Sequence, residues 1–104
     1  MSDTFKTALE EFVKLWQQRH DERFHTLGYD WKETYSISYG KRYAKIVLDR
    51  GNQKSVAGFV DLNNGDVLKA ASWAAPAKKA RGNIFSENQG MEAIDSAAFV
   101  RYLS

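Results

Sequence analysis

The sequence predicts an α+β fold, with an N-terminal amphipathic helix packed on a four-stranded antiparallel meander, then a short basic helical turn and a C-terminal helix. Three observations carry this expectation. Apolar residues near the N-terminus recur at helical spacing, the segments after them alternate with period 2, and those segments are joined by short polar turns that leave no length for crossover helices. With 104 residues, 43% of them apolar and 27% charged, the chain is expected to form one globular domain over residues 1–104.

Phe5, Ala8, Leu9, Phe12 and Trp16 follow the i, i+3, i+4, i+7, i+11 spacing that gathers side chains on one helical face. The helix is expected from about Thr4 to about Arg19, reaching as far as Phe24, with Ser2 or Asp3 as its cap and Gly28 as its stop. Tyr29, Trp31, Tyr35, Ile37 and Tyr39 then alternate with polar residues, which predicts a strand with one wet face, interrupted on its apolar side by Glu33. Gly40 and Lys41 form a turn, and Arg42 to Asp49 reads as a second strand because it is rich in β-branched and aromatic residues. After a loop at residues 50–54, Ser55 to Leu62 and Asp66 to Ala71 form a hairpin around Asn63-Asn64-Gly65-Asp66, a tight turn whose residues tolerate positive φ.

Pro76, the one proline, fits the first turn of a helix, where its missing N–H has no partner to lose. Ala75 to Arg81 is therefore expected to be a short helical turn stopped by Gly82. Residues 86–90 (SENQG) read as a loop, and Met91, Ile94, Ala97, Ala98 and Tyr102 give the spacing of a final short helix.

Several function classes are disfavoured by composition. Cysteine is absent, which excludes disulfides, thiolate metal sites and a cysteine nucleophile. The N-terminus has no apolar segment of signal-peptide length and no run approaches the roughly 20 apolar residues of a membrane span, so a soluble, intracellular protein is expected. His20 and His25 lie five residues apart, about 140° around a helix, which does not turn both imidazoles toward one ion; both are expected at the surface or at a cap. Ser72 lacks the context of a nucleophile elbow. Asp61 and Asp66 flank a turn that lacks the calcium-loop register and its distal glutamate. No cofactor is implied, and a non-enzymatic protein is expected.

The net charge of +2 is small, but Lys69, Lys78, Lys79 and Arg81 fall within thirteen residues that contain no acidic group. Together with Trp73 and Asn83 they form a basic, aromatic-flanked segment of the kind that neutralises phosphates and stacks on unpaired bases. The stacking platform would be Trp73 or the exposed one of Tyr39 and Tyr43. The competing structural reading puts Trp73 in the core and Lys78 and Lys79 on a solvated helix face. A second functional reading is a protein-binding module, since Trp, Tyr and Arg are favoured at interaction hot spots; a homodimer through the first or last strand is one form of it.

The run GDVLKAASWAAPAKKARGNIF at residues 65–85, preceded by the strand SVAGFVD, resembles a group of small accessory proteins encoded by tailed bacteriophages. The resemblance covers about Ser55 to Phe85. It implies a small accessory protein in the host bacterial cytoplasm, where small phage proteins commonly act as modulators or inhibitors of a host enzyme or defence system, and it brings no reaction, cofactor or catalytic residue.

Overall fold

The apolar stripe of the N-terminal segment winds into α1 (Asp3–Thr26), which buries Phe5, Leu9, Phe12, Val13, Trp16 and His20. The computed structural model describes residues 3–28, 33–95 and 98–100. The helix runs about two turns beyond Arg19 and ends where Gly28, at φ +80°, donates its N–H to the His25 carbonyl. The part of the expected first strand at Tyr29 and Trp31, and the cap at Ser2, lie outside the described residues.

Five strands follow, β1 (Thr34–Tyr39), β2 (Tyr43–Asp49), β3 (Lys54–Asp61), β4 (Asp66–Ala70) and β5 (Pro76–Asn83), all antiparallel and laid down in sequence order. The meander is as expected; its strand count is five rather than four. Ala44, Ile46, Val60 and Val67 point to α1 and form one core with Phe5, Leu9, Phe12, Trp16, Ile84 and Ile94. Among the described residues, no helix is long and apolar enough to cross a membrane.

The expected tight turn joins β3 to β4 through residues 62–65. Gly65 alone among its residues takes positive φ, +84°, and its N–H returns to the Asp61 carbonyl. Asp61 and Asn64 side chains accept the N–H groups of Asn63 and Asp66, so the aspartate and asparagine close Asx turns.

The larger correction concerns Ala75 to Arg81, which is strand from Pro76 onward and not a helical turn. A seven-residue segment gains too few internal hydrogen bonds to hold a helix alone, even with good helix formers at Ala77 to Arg81, whereas pairing with β4 satisfies the backbone on one side. Pro76 opens the strand opposite Ala70, the place in a sheet edge where a missing N–H is tolerated. The Ala71 and Ser72 N–H groups both donate to the Ala75 carbonyl and reverse the chain just before it.

The expected C-terminal helix is also replaced. A single 3-10 turn, Met91–Ala93, is followed by an antiparallel bridge between Ile94 and Val100, with Ala98 at φ +65° in the reversal. Ala97 and Tyr102 lie outside the described residues. Glu92 fixes this turn to β5: its carboxylate accepts from the Asn83 N–H at 2.9 Å and from Ser86 Oγ at 2.7 Å. Gly82 makes room for it, because a Cβ there would stand 2.7 Å from Glu92 Oε2. Burial alone would raise the pKa of Glu92, but the Ser86 and backbone hydrogen bonds outweigh it and hold the group below the ordinary carboxylate value.

Because the folded form of Glu92 is the stronger acid, its contribution to stability is complete above its unfolded pKa and is lost as pH falls through the lower, folded value. Urea midpoints should therefore fall on acidification below about pH 4.5, and less steeply in Glu92→Gln than in the native chain. Gly82→Ala should cost roughly 1–3 kcal/mol at neutral pH by crowding the same carboxylate.

Candidate functional site

The strand register divides the sheet into two chemically different faces. Ala44 and Ile46 face α1, so Tyr43 and Lys45 face away from it. Lys45 stands opposite Phe59, and Phe59 opposite Leu68, which makes one row across the helix-free face. Tyr43 meets Phe59 edge-on, with ring centroids 6.1 Å apart at 76°.

Two cations rest on aromatic rings of this face. Arg42 Cζ lies 5.1 Å from the Tyr43 centroid, and Arg42 also reaches the buried Asp61 carboxylate at 3.8 Å. Lys45 Nζ lies 4.8 Å from the centroid of Trp73. The reversal that leads into β5 thus folds Trp73 back over the helix-free face, where it remains 54% exposed. Trp73 is not a core residue, so the reading that placed it inside is corrected.

The basic residues named from sequence do not converge as a group. Lys69 lies on the α1 side, lining a cleft of about 150 Å³ with Trp16, Tyr35 and Arg50. Lys78 and Lys79 are both exposed on β5, and consecutive positions of an extended strand send them to opposite sides. The Arg81 guanidinium donates to the Lys79 carbonyl, which keeps it along the same edge. Asn83 is committed to the fold: its Nδ2 donates to the Asn64 carbonyl at 2.8 Å and to Asp66 Oδ1 at 3.0 Å, and its Oδ1 accepts from the Phe85 N–H. The structure instead adds Lys45 and Arg42, and of the two candidate tyrosines it sets Tyr43 on the face that carries Trp73 and Tyr39 on the α1 side. In sequence Lys45 is simply one polar residue of an alternating strand, and only the register with Phe59 and the fold-back of residues 71–75 bring it to the tryptophan.

His20 is likewise displaced from its expected place. It is 4% exposed, stacked on Phe24 at 4.4 Å and edge-on to Tyr35 at 5.4 Å, whereas His25 is at the surface. Its Nε2 stands 3.4 Å from Glu33 Oε1 and its Nδ1 3.7 Å from Asp21 Oδ1, with neither nitrogen hydrogen-bonded. Glu33, the residue that interrupted the apolar pattern, is buried there and receives Arg50 Nε at 2.8 Å. Burial, and then the Glu33 charge, push the Tyr35 phenol far above its ordinary value. Among the described residues, no three His, Asp or Glu side chains are grouped to hold a metal ion.

A model of a family of unknown function, DUF7717, matches residues 3–103. The chain belongs to that family. The match takes in α1 and the sheet as well as the basic segment. No curated protein and no solved structure matches the chain.

The exposure of Trp73 has a direct optical consequence. Of the described tryptophans, Trp16 is enclosed and Trp73 open to solvent. The fluorescence removed by Trp73→Phe should be the component readily quenched by acrylamide, and what remains from Trp16 should be the protected one.

Proposed function

We propose that the protein is a non-catalytic binder of single-stranded nucleic acid, with the helix-free face of the sheet as its contact surface. The observation that carries this reading is the exposed Trp73 ring with Lys45 Nζ 4.8 Å above it, beside a second such pair at Tyr43 and Arg42. Unpaired bases present π-faces to aromatic rings while their phosphates need cations a few ångströms away, and this patch supplies both groups side by side. Lys45 would leave the ring for a phosphate as a base takes its place on Trp73. Lys78, Lys79 and Arg81, at the border formed by β5, extend the positive potential along the path of the backbone. Lys69 and Asn83 have no part in this contact. The setting, an infected bacterial cytoplasm, follows from the resemblance to phage proteins.

Anisotropy titration of labelled single-stranded DNA and RNA at two salt concentrations tests the reading. Trp73→Ala should weaken binding by about 1–3 kcal/mol, the range for one base–aromatic stack, with the salt dependence retained. Removing Lys45 or Lys78 should lower the slope of log affinity against log salt by about 0.7 for each phosphate that is no longer neutralised. Absence of binding at low salt would sink the proposal, and a host protein retained from nuclease-treated lysate would then favour the protein-binding alternative.

A further inference from the structure

The two edges of the sheet are opposite in chemistry. The β5 edge begins with proline, carries Lys78, Lys79 and Arg81, and breaks register twice against β4, all of which are devices that prevent another strand from adding to an edge. The β1 edge, Thr-Tyr-Ser-Ile-Ser-Tyr, has no charge and no proline, and it pairs with β2 through six consecutive positions without a break.

The hydrogen-bond phase of β1 is fixed by its turn. Gly40 N–H donates to the Tyr43 carbonyl at 3.0 Å, so the residue pairs two and four positions further along, Ser38 with Lys45 and Ser36 with Val47, are the ones that exchange ladder bonds. Tyr35, Ile37 and Tyr39 therefore aim their N–H and C=O groups outward. Tyr35 agrees with this phase: its N–H is taken by Gln17 Oε1 at 2.7 Å, with Gln17 Nε2 held on the Glu33 carbonyl at 2.9 Å. Gln17 thus closes the edge at Tyr35, and Ile37 and Tyr39 are beyond its reach.

We propose that a second copy of this chain pairs antiparallel along β1, with the two-fold axis passing through Ser38. In this register Ile37 of each copy faces Tyr39 of the other, both pairs fall in the hydrogen-bonding phase, and four backbone bonds form while the Gln17–Tyr35 bond is left intact in each copy. The side chains support the same register. Ile37 and Tyr39 oppose Ile46 and Ala44, so both lie on the α1 side, and Tyr39 is 43% exposed there with Ile37 half-buried. Burial and the Glu10 charge from α1 raise the Tyr39 phenol, in keeping with that side. Pairing covers each Tyr39 ring with the Ile37 of the other copy. The result is a ten-stranded sheet that ends in a β5 edge on both sides, so growth stops at two copies. Four backbone bonds and two Ile37–Tyr39 pairs make a small contact, of the weak, reversible class.

Sedimentation velocity over a wide concentration range tests the inference on the intact chain. The native protein should show a reversible monomer–dimer equilibrium. Tyr39→Pro, which removes an outward N–H and leaves the β2 ladder intact, should weaken it by about tenfold or more while the circular dichroism spectrum is retained. Ser38→Glu and Ser38→Lys each place like charges across the axis and should each be monomeric; mixed in equal amounts they should associate. Because Ser38 is exposed, these two variants decide the matter if the proline variant fails to fold. A chain monomeric at every concentration, or a Ser38 pair without mutual rescue, would overturn the inference, and neither result bears on nucleic-acid binding by the monomer.

Discussion

The indole of Trp16 is the contact on which the remaining structure depends. It lies on α1, is almost fully enclosed, packs against Phe12 and Tyr35 at 5.6 and 4.8 Å, and donates its N–H to the Ala98 carbonyl at 2.8 Å. One side chain therefore joins the helix, the first strand and the C-terminal reversal. The hydrogen bond matters as much as the area, since a buried indole N–H without an acceptor would cost about 1–3 kcal/mol. Gly58 of β3 lies beneath it, where a Cβ would crowd the Leu68 carbonyl and Val100, each 3.1 Å away, while only touching the indole.

With the helix seated on one face, the opposite face is left to be covered by the sheet's own side chains. Phe59 and Leu68 are buried there with no helix above them, in a row with Lys45 and beside Tyr43. Long side chains that carry a charge at the tip and an apolar stem suit such a position, because they shield the rings beneath while their charge stays in water. The exposed Trp73 ring and the cations on this face are thus two products of one constraint: a single helix covers only one side of a five-stranded sheet.

What the sequence disclosed follows from what is local. The stripe Phe5, Leu9, Phe12, Trp16 depends only on helical period, and four of the strands depend on alternation and turn residues, so these elements were legible within a residue or two at most boundaries. The last strand was not, because Ala-Lys-Lys-Ala-Arg favours a helix locally and adopts a strand only through β4 beside it. Gly82 looked like a stop and proves to be clearance for Glu92, nine residues from the Asn83 N–H that it accepts. His20 looked like a surface residue on a polar stretch of helix; its burial depends on Glu33 and Tyr35, which reach it only after the chain has turned back. At the candidate site, Trp73 was visible as a residue but its exposure was not, and Lys45 was hidden in a regular strand.

The distance in sequence between Trp16 and Ala98, 82 positions, has a consequence for synthesis. The hairpins need only neighbouring residues and can close as soon as they leave the ribosome, since contacts between near neighbours close small loops. The apolar face of the helix cannot be sealed in the same way: Ile94, Ala98 and Val100 belong to its core and are made after all five strands. The nascent chain therefore keeps this tryptophan unsealed until residues near position 100 have been added, after all five strands have been made.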